Sequence, residues 1–323
     1  MKAIRFAKIG GPDVLQWQDV DVPSPATGEV RIRLTAIGLN YVDTYYRSGL
    51  YPTSLPSGLG SEAAGIIEAL GPSVRGFKVG DRVAYGTGPL GAYAEARNFN
   101  VKRLIKLPKS ISDETAAGMM LKGLTVRYLL RSTYKVKRGQ TILLHAAAGG
   151  VGLILSQWAK ALGVKVIGTV GSEEKMAIAK AHGCAYVINN RTENVAARVR
   201  EITNGQGVTV AYDGVGQATF MASLDSLAPR GMLVSFGNAS GPVSNFSLNL
   251  LAQRGSLYVS RPILAHYMAD DAEFRQSADD LIAIIKSGKV KIAVNQHYAL
   301  QDAAQAHADL EQGKTTGASV LLP

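Results

Sequence analysis

The chain has 323 residues, enough for two domains of ordinary size. Hydrophobic residues make up 46% and charged residues 19%, which excludes a disordered chain, and no apolar stretch reaches the roughly 18 residues of a membrane-crossing helix. The net charge of +10 suits a phosphorylated cofactor or nucleic acid, while a lone cysteine, Cys184, excludes an internal disulfide or a many-thiolate metal site.

The first fifteen residues lack the charged start, apolar core and cleavage site of a signal peptide, so a cytoplasmic protein without membrane insertion is expected. Residues 1 to about 110 read as β-rich with few helices. Glu29–Leu34 alternates with period two, Asp81–Tyr85 follows a glycine turn, and Gly10-Gly11-Pro12, Gly71-Pro72 and Gly88-Pro89 mark turns. Such spacing predicts a compact, barrel-like unit. Ser112 then caps a predicted helix whose first turn carries Asp113 and Glu114, where the helix dipole favours acids. The basic residues Lys135, Lys137 and Arg138 fall in a turn-like stretch without interleaved aromatics and read as a solvated loop.

From Gln140 onward apolar runs alternate with amphipathic helices. The runs are Thr141–Ala146, Lys165–Val170, Tyr186–Asn189, Val208–Asp213, Met232–Phe236 and Leu257–Ser260. This rhythm predicts an α/β fold with a doubly wound parallel sheet of six strands, the complement of a dinucleotide-binding domain. Helices at about 270–287 and 301–312 and a strand Ser319–Leu322 close the chain. That strand needs a partner and is expected to rejoin the first unit.

The stretch His145-Ala146-Ala147-Ala148-Gly149-Gly150-Val151-Gly152 directly follows the first run and opens a helix with apolar residues at 151, 154, 155, 158 and 162. Gly149 lets the backbone approach a pyrophosphate, Gly150 and Val151 begin the helix whose N-terminus attracts anions, and Gly152 lets the helix pack on the strand. Ala147 stands where the first glycine usually falls. The alternative is a tight turn that holds no ligand. NAD-binding folds place an acid about 20 residues on, at the end of the second strand. Here that strand runs into Gly171-Ser172-Glu173-Glu174-Lys175: the small residues leave room and Lys175 supplies a charge for a 2′-phosphate, pointing to NADP. Lys175 as the exposed face of the next helix is the competing reading.

These residues carry a resemblance. Gly139-Gln140 through Leu143, Ala147–Gly152, Gln157 and Lys160 resemble the signature of zeta-crystallin-type quinone oxidoreductases, of the medium-chain dehydrogenase/reductase superfamily. Asn40–Tyr46, Lys122–Thr125 and Phe236–Gly241 resemble the bacterial members, and the likeness covers essentially the whole chain. It implies a GroES-like β-rich catalytic domain over 1–122, a Rossmann domain binding NADPH over 123–262, and residues 263–323 returning to complete the catalytic domain. It also implies NADPH-dependent reduction of a small quinone, and a homodimer with Gly255–Ser260 as the pairing edge strand. Asn40, Asp43 and Tyr46 are implied at the substrate and nicotinamide, Asn40 as an amide donor. Thr125, Phe236, Gly237, Asn238, Ser240 and Arg261 are implied as cofactor contacts, and Asn190 stands where relatives often carry a tyrosine near the 2′-phosphate.

Zinc-binding relatives carry ligands at the positions of Asn40 and Ser61, neither of which ligates zinc well, so no metal is expected. A quinone is already electron-poor, so the protein's tasks are to position it and to stabilise developing negative oxygen. The five histidines form no recognisable triad. An enoyl or alkenal double-bond reductase and an RNA-binding role are the alternative readings, with nucleic acid disfavoured because the basic residues are scattered.

Overall fold

The computed structural model describes residues 1–323. It comprises two compact units, Met1–Leu124 with Ile292–Pro323, and Thr125–Lys291. None of its helices is long and apolar enough to cross a membrane.

The first unit is β-rich. Its main sheet has seven strands, with Glu29–Leu39 pairing antiparallel to Ala63–Leu70, Ala63–Leu70 to Arg82–Tyr85, and Arg82–Tyr85 to Ile105–Lys106. The alternation seen from Glu29 continues to Leu39, and Val30, Ile32, Leu34 and Ala36 are all buried. The last strand, Ala318–Leu322, pairs Ser319 with Leu39 and Leu321 with Ile37, so the end of the chain completes the sheet begun near its start. One helix here, Tyr41–Ser48, was not anticipated. Its apolar positions are tyrosines and a valine between turn signals, so β propensity masked a helical spacing.

The second unit is built on a parallel sheet of six strands: Thr141–Leu144, Lys165–Val170, Tyr186–Asn189, Val208–Asp213, Leu227–Ser235 and Tyr258–Ser260. Numbered along the chain, they lie in the order third, second, first, fourth, fifth, sixth. This is the doubly wound dinucleotide-binding order, in which the chain reverses direction beside the first strand. The first strand stops before Ala146 because that residue turns to positive φ. The fifth begins five residues earlier than expected, pairing Leu227 with Val208 before a register shift at the Arg230 turn.

Residues 263–291 cluster with the second unit, whereas the sequence reading returned them to the first. The helix Asp271–Lys286 is held there by Arg127, whose Nε donates to Asp280 at 3.1 Å and whose Nη1 lies 3.7 Å from Glu273. Tyr267 stacks on Tyr128 at 4.5 Å. No local pattern encodes these partners, which stand far away in sequence.

Candidate active site

In the first unit the groups of interest converge around the helix Tyr41–Ser48. Asn40 is its N-cap, and the Asn40 backbone N–H donates to Asp43 Oδ2 at 2.9 Å, tying the side chain of the first turn to the cap. The Asn40 side-chain amide donates to Glu62 Oε2 at 2.8 Å and to the Gly38 carbonyl at 3.3 Å. Both protons of the Asn40 amide therefore point into the protein, toward Glu62 and the Gly38 carbonyl. The sequence reading made Asn40 a donor to substrate; the neighbouring carboxylate, which only accepts, takes up that donor within the protein.

Glu62 is fully buried. It reaches this position because Gly38 has no side chain: a Cβ there would overlap Glu62 Oε2 and the Ala117 carbonyl. The Leu121 backbone N–H donates to Glu62 Oε1 at 2.8 Å, and Lys122 Nζ donates to Oε2 at 3.0 Å. Removing either charge of such a buried pair costs roughly 3–5 kcal/mol, because the other is left without compensation.

Asp43 lies in a second chain of contacts. Arg47 is buried and engages three groups, donating to the Gly10 carbonyl at 3.1 Å, to His307 Nδ1 at 3.0 Å and to Glu311 Oε1 at 2.6 Å. A guanidinium cannot accept, so Nδ1 of His307 is an acceptor and the ring proton sits on Nε2. Nε2 then donates to the Tyr93 hydroxyl at 3.1 Å, and that hydroxyl donates to Asp43 Oδ2 at 2.9 Å. Burial, assisted by Arg47, pushes the His307 pKa down to about 3, so the ring is neutral at physiological pH. Burial raises Asp43 to about 7, against the opposing pull of the Asn40 N–H, the Tyr93 hydroxyl and Lys122. Asp43 Oδ1 is buried with no partner. Tyr46 is half-buried, edge-on to Tyr51 at 5.6 Å, and burial raises its hydroxyl pKa. Tyr45 is a core residue.

In the second unit the glycine loop has the local geometry of an anion site. Gly149 caps the helix Gly150–Ala161. The Gly149 N–H closes the preceding turn on the Ala146 carbonyl at 3.0 Å, and the Leu153 N–H is the first to bond back into the helix, on Gly149. The amides of Gly150, Val151 and Gly152 are thus the open donors of a helix start. A Cβ on Gly149 would meet only the Ala146 carbonyl, at 3.4 Å, so packing does not require glycine there. Gly152 differs, since a Cβ would press into the Ala146 and Ala147 carbonyls at 2.5 and 2.6 Å. The Ala147 departure is matched locally: its methyl is buried against Gly168, where a Cβ would come within 2.7 Å of it. Cys184 packs at the same place as a buried thiol whose pKa is raised by burial.

Beneath this loop His145 is satisfied on both sides, by Thr169 Oγ1 at 2.9 Å and Ser223 Oγ at 3.0 Å. Ser223 and Thr219 donate to Asp213, whose Oδ1 also accepts the Val215 and Gly216 amides. Burial lowers the His145 pKa. The network joins the ends of the first, second and fourth strands and leaves no hydroxyl free as a nucleophile.

At the end of the second strand Ser172 Oγ caps the next helix by accepting the Lys175 N–H at 3.4 Å. Facing Gly171 are Asn190 Oδ1, 3.7 Å from its Cβ position, and Arg191 Nε, at 3.4 Å. Sequence reasoning missed Arg191. It is an exposed cation close enough to the half-buried Lys175 to join burial in lowering the Lys175 pKa. Two like charges held together beside a residue without a side chain suit an anion. The only local signal was its place after the third strand.

At the end of the fifth strand Phe236 packs its ring against Gly214, and its N–H donates to the Asp213 carbonyl at 2.8 Å. Gly237 is required there, because a Cβ would overlap the Gly214 carbonyl. Asn238 accepts the Gly241 N–H at 2.9 Å through its carbonyl, and the Ser240 hydroxyl donates to the Val215 carbonyl at 2.9 Å while accepting from Ala218. The exposed Arg261 donates to the Ser235 carbonyl at 3.1 Å, and Thr125 is buried in the helix Asp113–Tyr128.

Comparison with known proteins agrees with both units. Residues 26–109 match the alcohol dehydrogenase GroES-like domain, and residues 150–283 the zinc-binding dehydrogenase family. A quinone oxidoreductase of Pseudomonas aeruginosa is 55% identical over 100% of this chain and 99% of its own length. The crystal structure of Escherichia coli quinone oxidoreductase complexed with NADPH superposes with a TM-score of 0.98 at 49% identity, covering 100% of both chains. A 2-haloacrylate reductase of Burkholderia is 45% identical over 98% of this chain and 97% of its own. The strand order, the glycine loop and this end-to-end similarity have one explanation: the chain belongs to the quinone oxidoreductase family of the medium-chain dehydrogenase/reductases.

Proposed function

We propose that this protein reduces quinones with NADPH. The observation that carries this reading is the open helix start at Gly149–Gly152 combined with the Lys175 and Arg191 pair beside Gly171. The first suits a diphosphate and the second a 2′-phosphate. When bound, the reduced nicotinamide supplies the hydride.

Gly149, Gly150, Val151 and Gly152 bind the diphosphate. Gly171, Ser172, Lys175, Asn190 and Arg191 form the 2′-phosphate end, and Thr125, Phe236, Gly237, Asn238, Ser240 and Arg261 shape the remainder. Asn40, its amide held by Glu62, lines the nicotinamide end, and Tyr46 offers a flat face to the quinone ring. Asp43 acts by holding Asn40. On this reading the unit that includes the chain's start and end is the catalytic domain, and Thr125–Lys291 binds the cofactor.

The test is NADPH oxidation against a panel of benzoquinones and naphthoquinones beside unsaturated aldehydes and acids. Quinones are expected to be turned over fastest; faster reduction of the C=C acceptors would favour the double-bond chemistry that the 2-haloacrylate reductase name denotes. The variant Lys175→Ala/Arg191→Ala is expected to raise KM for NADPH by about 100-fold, roughly two charge-assisted hydrogen bonds, while leaving NADH kinetics unchanged. Equal effects on both cofactors would remove the phosphate from this position.

No metal takes part in this mechanism: Asn40 turns its N–H groups toward Glu62, and Ser61 offers only a hydroxyl. Elemental analysis is expected to find no stoichiometric zinc, and chelators should leave turnover intact. The sixth strand is a sheet edge with Tyr258 and Val259 exposed at 57% and 37%, and its pairing with a second copy makes a homodimer; a monomeric mass by light scattering would discard this. A cytoplasmic location, to be checked by cell fractionation, and the absence of a nucleic-acid partner, to be checked by retention on RNA at moderate salt, complete the reading.

A further inference from the structure

Lys122 has no part in the chemistry described so far. It is a lysine with a side chain 6% exposed, and its one hydrogen-bond partner is Glu62 Oε2 at 3.0 Å. An ammonium has three donors, so two remain without a protein acceptor. The same carboxylate oxygen accepts the Asn40 amide at 2.8 Å, which makes the ammonium and the Asn40 side chain neighbours. The ammonium therefore borders position 40, one of those at which zinc-binding relatives carry ligands. Because both Asn40 N–H groups are already engaged, a quinone oxygen in this neighbourhood needs its hydrogen-bond donor from another group. Lys122 is the one nearby that carries both a positive charge and unused donors.

We propose that Lys122 is a catalytic residue, whose ammonium hydrogen-bonds the quinone oxygen on which negative charge accumulates during reduction. This inference rests on the quinone reductase reading above. The quinone takes up one hydride, an electron pair with a proton, from the reduced nicotinamide, which leaves oxidised. The hydride becomes the hydrogen of a new O–H bond on one oxygen, both C=O π bonds are lost as an additional ring C=C forms, the ring becomes aromatic, and the product is a hydroquinone monoanion with its charge on the second oxygen. Lys122 keeps its proton and holds that charge by hydrogen bonding, and a proton from water completes the hydroquinone. Glu62 is the positioning residue: it anchors the ammonium while leaving two of its N–H groups free, and Leu121 and Gly38 fix the carboxylate in turn.

Two measurements test this. The first uses the unaltered protein and 4-nitrophenol, a phenol whose ionised form is yellow and which resembles the hydroquinone monoanion. Bound 4-nitrophenol is expected to ionise at least one pH unit below its value in free solution and to be displaced by quinone. Bound phenol that ionises as in water, or that quinone does not displace, overturns the proposal. The second uses Lys122→Met combined with Glu62→Gln, which removes both charges and leaves no unpaired buried carboxylate. Its kcat is expected to fall by about 100-fold or more, the usual loss on removing one oxyanion donor. KM for quinone and the NADPH dissociation constant should stay within a few-fold, and Lys122→Arg should restore part of the rate. A double variant that keeps the parental kcat overturns the role of Lys122. If instead the unaltered protein oxidises no NADPH with any quinone, the underlying reading fails, and the phenol titration separates that result from failure of the lysine assignment.

Discussion

Gly152→Val is expected to lose NADPH binding by roughly 100-fold and to destabilise the protein by about 3 kcal/mol or more. Any Cβ at this position is driven into the carbonyls of Ala146 and Ala147, which are backbone and cannot rotate away. The loop must open, and the three donors at the helix start then lose their common direction. Gly149→Ala is the informative contrast. Its methyl makes one contact at 3.4 Å, so the fold should lose no more than about 1 kcal/mol, the difference between glycine and alanine at an N-cap. NADPH affinity should nonetheless fall by tenfold or more, because the methyl keeps the diphosphate from the close backbone approach that glycine allows. Calorimetric binding and thermal denaturation of both variants distinguish the two effects. A Gly149→Ala protein that binds NADPH as the parent does would place the diphosphate elsewhere.

Asp43→Asn and His307→Gln are expected to tilt stability against pH in opposite directions. Asp43 has its pKa raised from 3.8 to about 7 by burial. Between those values the folded chain holds a proton that the unfolded chain has released, so this group alone makes stability fall as pH rises from about 4 to 7. His307 is the reverse case, lowered from 6.5 to about 3. Between those values the unfolded chain binds a proton that the folded one refuses, so stability falls as pH drops below 6.5. From about pH 4 to 6.5 the two cancel in the parent, since each state carries one proton of the pair, on different residues.

Asp43→Asn exposes the histidine slope and removes the carboxylate's penalty. At pH 8 it should gain roughly 1–3 kcal/mol, the value of three pH units less the cost of a new unbonded amide N–H. His307→Gln keeps a donor and an acceptor in the chain from Arg47 to Tyr93 and exposes the aspartate slope, about 1.4 kcal/mol per pH unit between 4 and 7. Urea denaturation from pH 5 to 8 reads both. Parallel curves for the two variants would show that Asp43 and His307 do not titrate as this network requires.

Much of the second unit is legible in the sequence. Apolar runs separated by helical stretches predicted six strands, because one parallel strand and its crossover helix are written in consecutive residues. The glycine loop was readable for the same reason: its strand, turn and helix are contiguous. Ser112 and the acids after it likewise marked the helix Asp113–Tyr128, where the Thr115 N–H donates to Ser112 Oγ at 3.1 Å. Less was visible in the first unit. The helix Tyr41–Ser48 hid behind β-forming side chains, and Arg47 drew no attention as an isolated cation.

What the sequence by itself determined is the fold class, the strand, turn and helix of the glycine loop, and the want of good zinc ligands at positions 40 and 61. All of these depend on residue type and short-range order. What only the tertiary structure decided is which buried polar groups meet. Arg47 and His307 are 260 positions apart, and Glu62 and Lys122 are 60 apart. A donor or acceptor shut away from water must find its complement wherever the packed chain supplies one, so the partner of a buried charge is set by the fold. That is why the Asn40 amide faces inward, why Asp43 holds its proton near neutrality, and why a lysine in an ordinary helix stands beside the candidate catalytic residues.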